Sequence, residues 1–220
     1  MIYYRDSVTE ASWRLLKELK RQFNFCLIGG WAVWLYTHQL KSKDIDIVIK
    51  PDELSRIRKK YELFKNDRLK KYEFRKGEVQ IDVYPAYYAD LGIKAEEILS
   101  NSRIVEGFLV PVPEVLFILK LSAWLERKHS AKGRKDLVDL ISLLQIIDGK
   151  EVKLNHPGIK NLTQELQAIA AVPELNLNRH QWSRAKKRLL LFLNARQFGF
   201  WRFAGAVRGK NEGFFCWPRR

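Results

Sequence analysis

Apolar residues recur along the first half of the chain in short blocks, and the period of each block predicts its element. Val8, Ala11, Leu15, Leu16 and Leu19 keep the three-and-four spacing of a helix with one packed face. Ser7, with Glu10 three residues on, fits a capping box and predicts the start of that helix. Residues 23–28 form a short apolar strand that runs into Gly29-Gly30, and 31–36 are apolar enough to predict a helix buried against a sheet. Ile45–Ile49 reads as a second strand, closed by Pro51, and 52–61 as a surface helix. Residues 72–75 and 78–84 predict a hairpin around Lys76-Gly77. In its second strand Val79, Ile81 and Val83 alternate with Gln80, Asp82 and Tyr84, so Asp82 belongs to a polar face. Residues 104–110 add a last strand or hairpin around Gly107.

At Pro111-Val112-Pro113 the pattern changes. From there the periodicity is almost wholly helical, over 114–128, 136–147, 159–170 and 179–194. The expected class is α+β: a small mixed β-sheet with flanking helices over 1–112, a helical domain over 113–194, and a tail over 195–220. That tail sets Phe198, Phe200, Trp201, Phe203, Phe214, Phe215 and Trp217 among Gly and Arg without a clear period. A docked structural tail is favoured over one that stacks on bases, because aromatic side chains usually bury.

Composition narrows the partners. Of 220 residues, 46% are hydrophobic and 30% charged, as in globular proteins. Forty Lys and Arg against 25 Asp and Glu leave a formal charge of +15, which favours polyanions such as nucleic acid or nucleotides over a merely solubilising surface. The charge is clustered: 56–76 holds ten Lys or Arg and three acids, and Arg184, Lys186, Lys187 and Arg188 form a second group. Two cysteines, Cys26 and Cys216, make no disulfide framework or metal cluster. The four histidines, His38, His129, His156 and His180, lack metal spacing. No apolar stretch is long enough to span a bilayer, and the N-terminus lacks a signal-peptide layout, so a cytoplasmic protein without membrane contact is expected.

The chemistry concentrates in 26–49. Alternation places Asp44 and Asp46 on one side of a strand while Ile45 and Ile47 point into a core. Adjacent carboxylates repel unless a cation sits between them, and a hard ion such as Mg²⁺ is often held by one or two carboxylates plus substrate phosphates. Gly29-Gly30 before a helix gives a phosphate close access to backbone N–H groups. These features predict a metal-and-nucleotide site, with Asp82 on a neighbouring strand as a third carboxylate.

Ile28-Gly29-Gly30, a helix, and Ser42-Lys43-Asp44-Ile45-Asp46 together resemble the signature of the DNA polymerase β-like nucleotidyltransferase superfamily. That resemblance covers the first half of the chain and implies a nucleotidyltransferase palm. It implies that Asp44, Asp46 and Asp82 are catalytic and bind two Mg²⁺ ions, and that an NTP is the substrate. Gly29, Gly30, Ser42 and Lys43 would then meet the nucleotide. In the second half, Lys120-Leu121, Ala123 and Arg127, followed by Arg134-Lys135-Asp136-Leu137-Val138-Asp139, resemble the helical part of abortive-infection and toxin–antitoxin nucleotidyltransferases. This implies that Lys120 meets the triphosphate, with Asp136 and Asp139 as a possible second-domain site. On chemistry alone Asp136 could instead cap a helix and Asp139 could pair with Lys120 or Arg127 as a structural ion pair.

The reaction implied is transfer of a nucleoside monophosphate to an acceptor hydroxyl. The basic clusters favour RNA or tRNA as acceptor, against a small molecule or a protein side chain. Two further alternatives are a component of a toxin–antitoxin pair with an antitoxin-like protein partner, and a catalytically silent nucleotide- or nucleic-acid-binding module.

Overall fold

Seven strands and six helices build the described part of the chain. The computed structural model describes residues 6–147 and, beyond them, 180, 183 and 184. The elements in order are α1 (Asp6–Gln22), β1 (Cys26–Ile28), α2 (Gly29–Thr37), β2 (Ile45–Ile49), α3 (Pro51–Arg58), β3 (Phe64–Asn66), β4 (Lys71–Lys76), β5 (Val79–Pro85), α4 (Ala95–Ser100), β6 (Ser102–Val105), β7 (Phe108–Pro111), α5 (Pro113–Arg127) and α6 (Ala131–Leu144). The expected helices at 159–170 and 179–194 and the aromatic tail lie outside the described residues, apart from 180, 183 and 184.

The strands form one mixed sheet in the order β3-β4-β5-β2-β1-β7-β6. Two joins are parallel, β2 with β5 and β1 with β7, and the rest are antiparallel. The turn at Gly77 sets β4 against β5 so that Lys76 faces Val79 and Glu73 faces Asp82. The same counting on the other side of β5 places Asp46 beside Asp82. Both sheet faces are covered. On one, Ile45, Ile47, Ile49, Ile81 and Val83 pack under α1, α2, α5 and α6 in the main core, with Trp31, Phe117 and Trp124 almost wholly enclosed. Each such side chain contributes roughly 1.5–3 kcal/mol by leaving water. On the other face Cys26, Ile28 and Val48 pack with Ala95, Ile98 and Val115 in a smaller cluster.

Helices α5 and α6 share the main core with the sheet through Leu116, Phe117, Leu121, Val138 and Leu140. Trp31 in α2 donates its indole N–H to Ser12 Oγ in α1 at 2.9 Å, which satisfies a buried polar pair within that core. None of the helices among the described residues is long and apolar enough to cross a membrane.

Two local expectations are corrected. Ser7 lies inside α1, which already includes Asp6, and Thr9 Oγ1 donates to the Asp6 carbonyl at 3.0 Å, so Ser7 is not the cap. Asp136 does not cap its helix either. Ser130 does, accepting from the Gly133 N–H at 3.0 Å, and Asp136 lies in the second turn, buried.

Candidate active site

The site forms where β1 ends and β2 and β5 begin. Ile28 pairs with Asp46, and Asp46 with Asp82, so the chain turns into α2 directly beside two carboxylates. Gly29 has φ +70°, and a Cβ there would run into the Asp46 carboxylate; the position needs glycine for both reasons. A Cβ on Gly30 would lie 2.7 Å from both Ser42 Oγ and Lys135 Nζ, so these two side chains close over the start of α2. No side chain caps α2, and its first turn carries no acid. Its N-terminal N–H groups and the positive end of its dipole are therefore suited to an anion.

A cavity of about 630 Å³ opens over this corner. Gly29, Gly30, Ser42, Asp44, Asp46, Asp82, Lys120 and Asp136 all line it. Of the residues singled out in the sequence, Lys43 and Asp139 do not line it; Lys43 is half-buried on the loop before Asp44, and Asp139 sits behind Lys120.

Charge is unevenly distributed across the cavity wall. Asp46, Asp82 and Glu73 stand side by side in the sheet register, and like charges directly opposite one another are unfavourable. Burial pushes the Asp46 carboxyl up to about 6, with the charge of Asp82 adding to the rise against the pull of Lys120. Burial, with Asp46 and Asp82 close by, also pushes the Tyr84 phenol well above its ordinary value. Lys71 Nζ lies 2.5 Å from Asp82 Oδ2 and 3.1 Å from Glu73 Oε1.

Helices α5 and α6 supply the opposite wall. Lys120 Nζ lies 3.2 Å from Asp136 Oδ1 and 2.7 Å from Asp139 Oδ2. Arg127 Nε lies 2.7 Å from Asp136 Oδ2, and Lys135 Nζ 3.5 Å from Asp139 Oδ2. Burial works against the charge on Lys120, but Asp139 and Asp136 outweigh it and hold the ammonium protonated more firmly than in a free lysine. Burial likewise works against Asp136, yet Lys120 and Arg127 keep its carboxyl below the ordinary range. Among the described residues Lys120, Arg127 and Lys135 gather around Asp136 and Asp139. Lys120 acts on Asp46 from here, and Lys135 Nζ lies against Gly30.

Lys71 and Glu73 were not among the residues expected at the site, whereas Arg127 and Lys135 belong to the helical motif quoted from the sequence without a role of their own. The hairpin register would have revealed Glu73 and Lys71. With a two-residue turn at Gly77, Glu73 must face Asp82, and Lys71 shares its side of β4. Lys135, one helical turn before Asp139, stands in the motif as the basic residue before Asp136, and the structure adds its place against Gly30.

A divalent cation is a fit in kind. Asp44 and Asp46 offer hard oxygen donors, and no described residue donates a hydrogen bond to either carboxylate. Burial first, and the charge of Asp82 second, raise Asp46, and a bound cation would offset both. Among the described residues, however, no three side chains of Asp, Glu, His or Cys are so placed that they could hold an ion by themselves. The pair would need oxygen from the substrate to complete a coordination sphere.

Comparison with solved structures agrees with this topology. A candidate nucleotidyltransferase from H. pylori superposes with a TM-score of 0.56 at 14% identity, covering 90% of this chain and all of that one. The chain has a nucleotidyltransferase-like fold. JHP933 from Helicobacter pylori superposes with a TM-score of 0.53 at 15% identity, over 88% of this chain and 95% of that one. No protein-family model matches the sequence, and no curated protein matches it. The resemblance expected from Ile28-Gly29-Gly30 and Asp44-Ile45-Asp46 thus holds at the level of the fold.

Proposed function

We propose that the protein is a divalent-metal-dependent nucleotidyltransferase that moves a nucleoside monophosphate from an NTP to an acceptor hydroxyl. The observation that carries this reading is the corner itself. The uncapped start of α2 presses through Gly29 onto Asp46, with Asp82 in register beside it, under a cavity whose far wall carries Lys120, Arg127 and Lys135. A phosphate and a cation could be held there side by side.

Backbone N–H groups at Gly29-Gly30 and the Ser42 hydroxyl bind the triphosphate, and Lys120 and Lys135 neutralise its charge from the helical wall. Asp44 and Asp46 would hold Mg²⁺, which when bound offsets the negative charge that builds up on the phosphoryl oxygens. Asp82 takes the proton of the acceptor hydroxyl as its oxygen attacks the α-phosphorus. The bond from that phosphorus to the bridging oxygen breaks, and pyrophosphate leaves with the bonding electrons. Asp136 and Asp139 hold Lys120 in position and are not asked to touch substrate.

RNA is the acceptor this reading favours. Arg68 and Lys70 line the cavity with Asp82. Nearby in the chain cations pair with aromatic rings, Arg58 at the end of α3 at 4.9 Å from the Tyr72 ring centre and Lys65 in β3 at 5.5 Å from that of Tyr88. Such a strip suits phosphates and bases together. The test is incubation with Mg²⁺ and total RNA, using each NTP labelled at the α- or the γ-phosphate. Transfer of α- but not γ-label to RNA is expected. Measurable NTP binding with no transfer to RNA, protein or small-molecule acceptors would favour a silent binding module instead.

A further inference from the structure

The sheet register makes Asp46, Asp82 and Glu73 one row of carboxylates across three strands. Asp46 and Asp82 do not share the same surroundings. Around Asp46 and the adjacent Asp44, no described residue donates a hydrogen bond to either carboxylate. Asp82 is taken on both oxygens: Lys71 Nζ donates to Oδ2 at 2.5 Å, and Gln80 Nε2 to Oδ1 at 3.0 Å. Glu73 is fixed as well, by Lys71 at 3.1 Å, by Asn66 Nδ2 at 2.9 Å and by Gln80 at 3.3 Å.

Lys71 is not a surface lysine that happens to reach a carboxylate. Its side chain is 7% exposed, it starts β4, and it shares one face of that strand with Glu73. Its stem is held by the sheet and its ammonium lies between two carboxylates that the register forces together. A row of three acids needs positive charge along it. At the Asp82 end the chain supplies it by direct ion pairs from Lys71, whereas at the Asp44–Asp46 end no described cation makes an ion pair and Lys120 acts on Asp46 only from across the cavity.

We propose that Lys71 is the built-in second cation of this site: its ammonium fills the place beside Asp82 that a second divalent ion would need, so the loaded site takes a single divalent ion, at Asp44 and Asp46. The inference rests on the nucleotidyltransferase reading and departs from the two-ion arrangement that the sequence resemblance implies. Lys71 acts as a positioning residue. It holds Asp82 toward the cavity through one oxygen while Gln80 fixes the other, and it offsets charge without a coordination sphere to fill. A second divalent ion would have to displace an ammonium that is already buried and doubly paired.

Mn²⁺ bound per chain, counted by electron paramagnetic resonance with saturating non-hydrolysable NTP analogue, decides the matter. The wild type is expected to hold one ion and Lys71→Met two, while Lys71→Arg, which keeps the charge, stays at one. Two ions on the wild type, or one on Lys71→Met, would overturn the inference. Should Lys71→Met fail to fold, the wild-type count alone still decides. The parent reading fails separately: a wild type that transfers no α-label with Mg²⁺ and binds no Mn²⁺ sinks both, whereas one that transfers label and carries two ions sinks only the role of Lys71.

Discussion

Two buried ion-pair clusters face each other across the cavity, and they are built on opposite plans. The sheet cluster sets one lysine, Lys71, among Asp82 and Glu73 with Asp46 alongside. The helical cluster sets Lys120, Arg127 and Lys135 around Asp136 and Asp139. The first gathers carboxylates around one lysine, and the second gathers cations around two carboxylates. A buried ion pair is weak evidence for stability, because desolvation offsets most of the attraction. Under the proposed function the sheet side would take the cation, and the helical side the anion, of a metal–triphosphate complex.

The helical cluster should break hardest. Lys120→Met leaves Asp136 and Asp139 buried with less compensation, and the expected loss is about 3–5 kcal/mol of folding stability, read by urea denaturation. If the loss is under about 1 kcal/mol, Arg127 and Lys135 carry the pair without it and the cluster is less interdependent than its distances indicate.

Gly29 and Gly30 meet the two clusters separately. Gly29→Ala strains a left-handed backbone, costing about 1–2 kcal/mol, and pushes directly on Asp46; transfer activity should disappear with it. Gly30→Ala carries no left-handed strain but meets Lys135 Nζ, Ser42 Oγ and, at 2.9 Å, Ser42 Cβ, which cannot rotate away. The Ser42 loop must shift, so the substitution should raise the KM for NTP several-fold and lower stability, with kcat less affected than by Gly29→Ala. Equal effects of the two substitutions on kcat would contradict the division of labour between the walls.

A milder effect separates Asp46 from its neighbours by pH. Its carboxyl is raised in the fold from 3.8 to about 6, so protonation favours the folded metal-free protein. That contribution is whole below the unfolded value near 3.8 and is lost as the pH rises through about 6. Asp46→Asn lacks it. Measured with chelator present, wild type should therefore lose about 1–2 kcal/mol relative to Asp46→Asn between pH 4 and 7.5, a range reduced for partial exposure to water. Adding Mg²⁺ at pH 7.5 should close the gap. A gap that is flat with pH would mean that neither burial nor the neighbouring Asp82 raises Asp46.

Much of this arrangement was legible in the sequence because strand alternation is strict. The faces of Asp46 and Asp82, the buried Ile45 and Ile47, and the Gly29-Gly30 helix start all follow from period and turn chemistry. Other features depend on tertiary contacts. β3 is three residues long with Phe64 64% exposed, so it carries no apolar pattern and exists because β4 offers it an edge. α4 spans only six residues and is held by Ala95 and Ile98 packing on the smaller core cluster. The start of α6 was hidden by the polar run from Ala131 to Lys135, where Ser130 supplies the cap that Asp136 was expected to provide. The Lys71–Asp82 pair falls between these cases: alternation alone puts Asp82 on its polar face, and only the pairing of β4 with β5 brings Glu73 and Lys71 to it.

Asp82→Asn, assayed in parallel for NTP binding and for α-label transfer, tests the catalytic use of the carboxylate row most directly. NTP affinity should stay within about three-fold of wild type, because the triphosphate is held by α2 and the helical wall, while transfer falls by at least about 10³-fold. Lost NTP binding with unchanged turnover per bound NTP, or full transfer by the variant, would contradict the role assigned to Asp82.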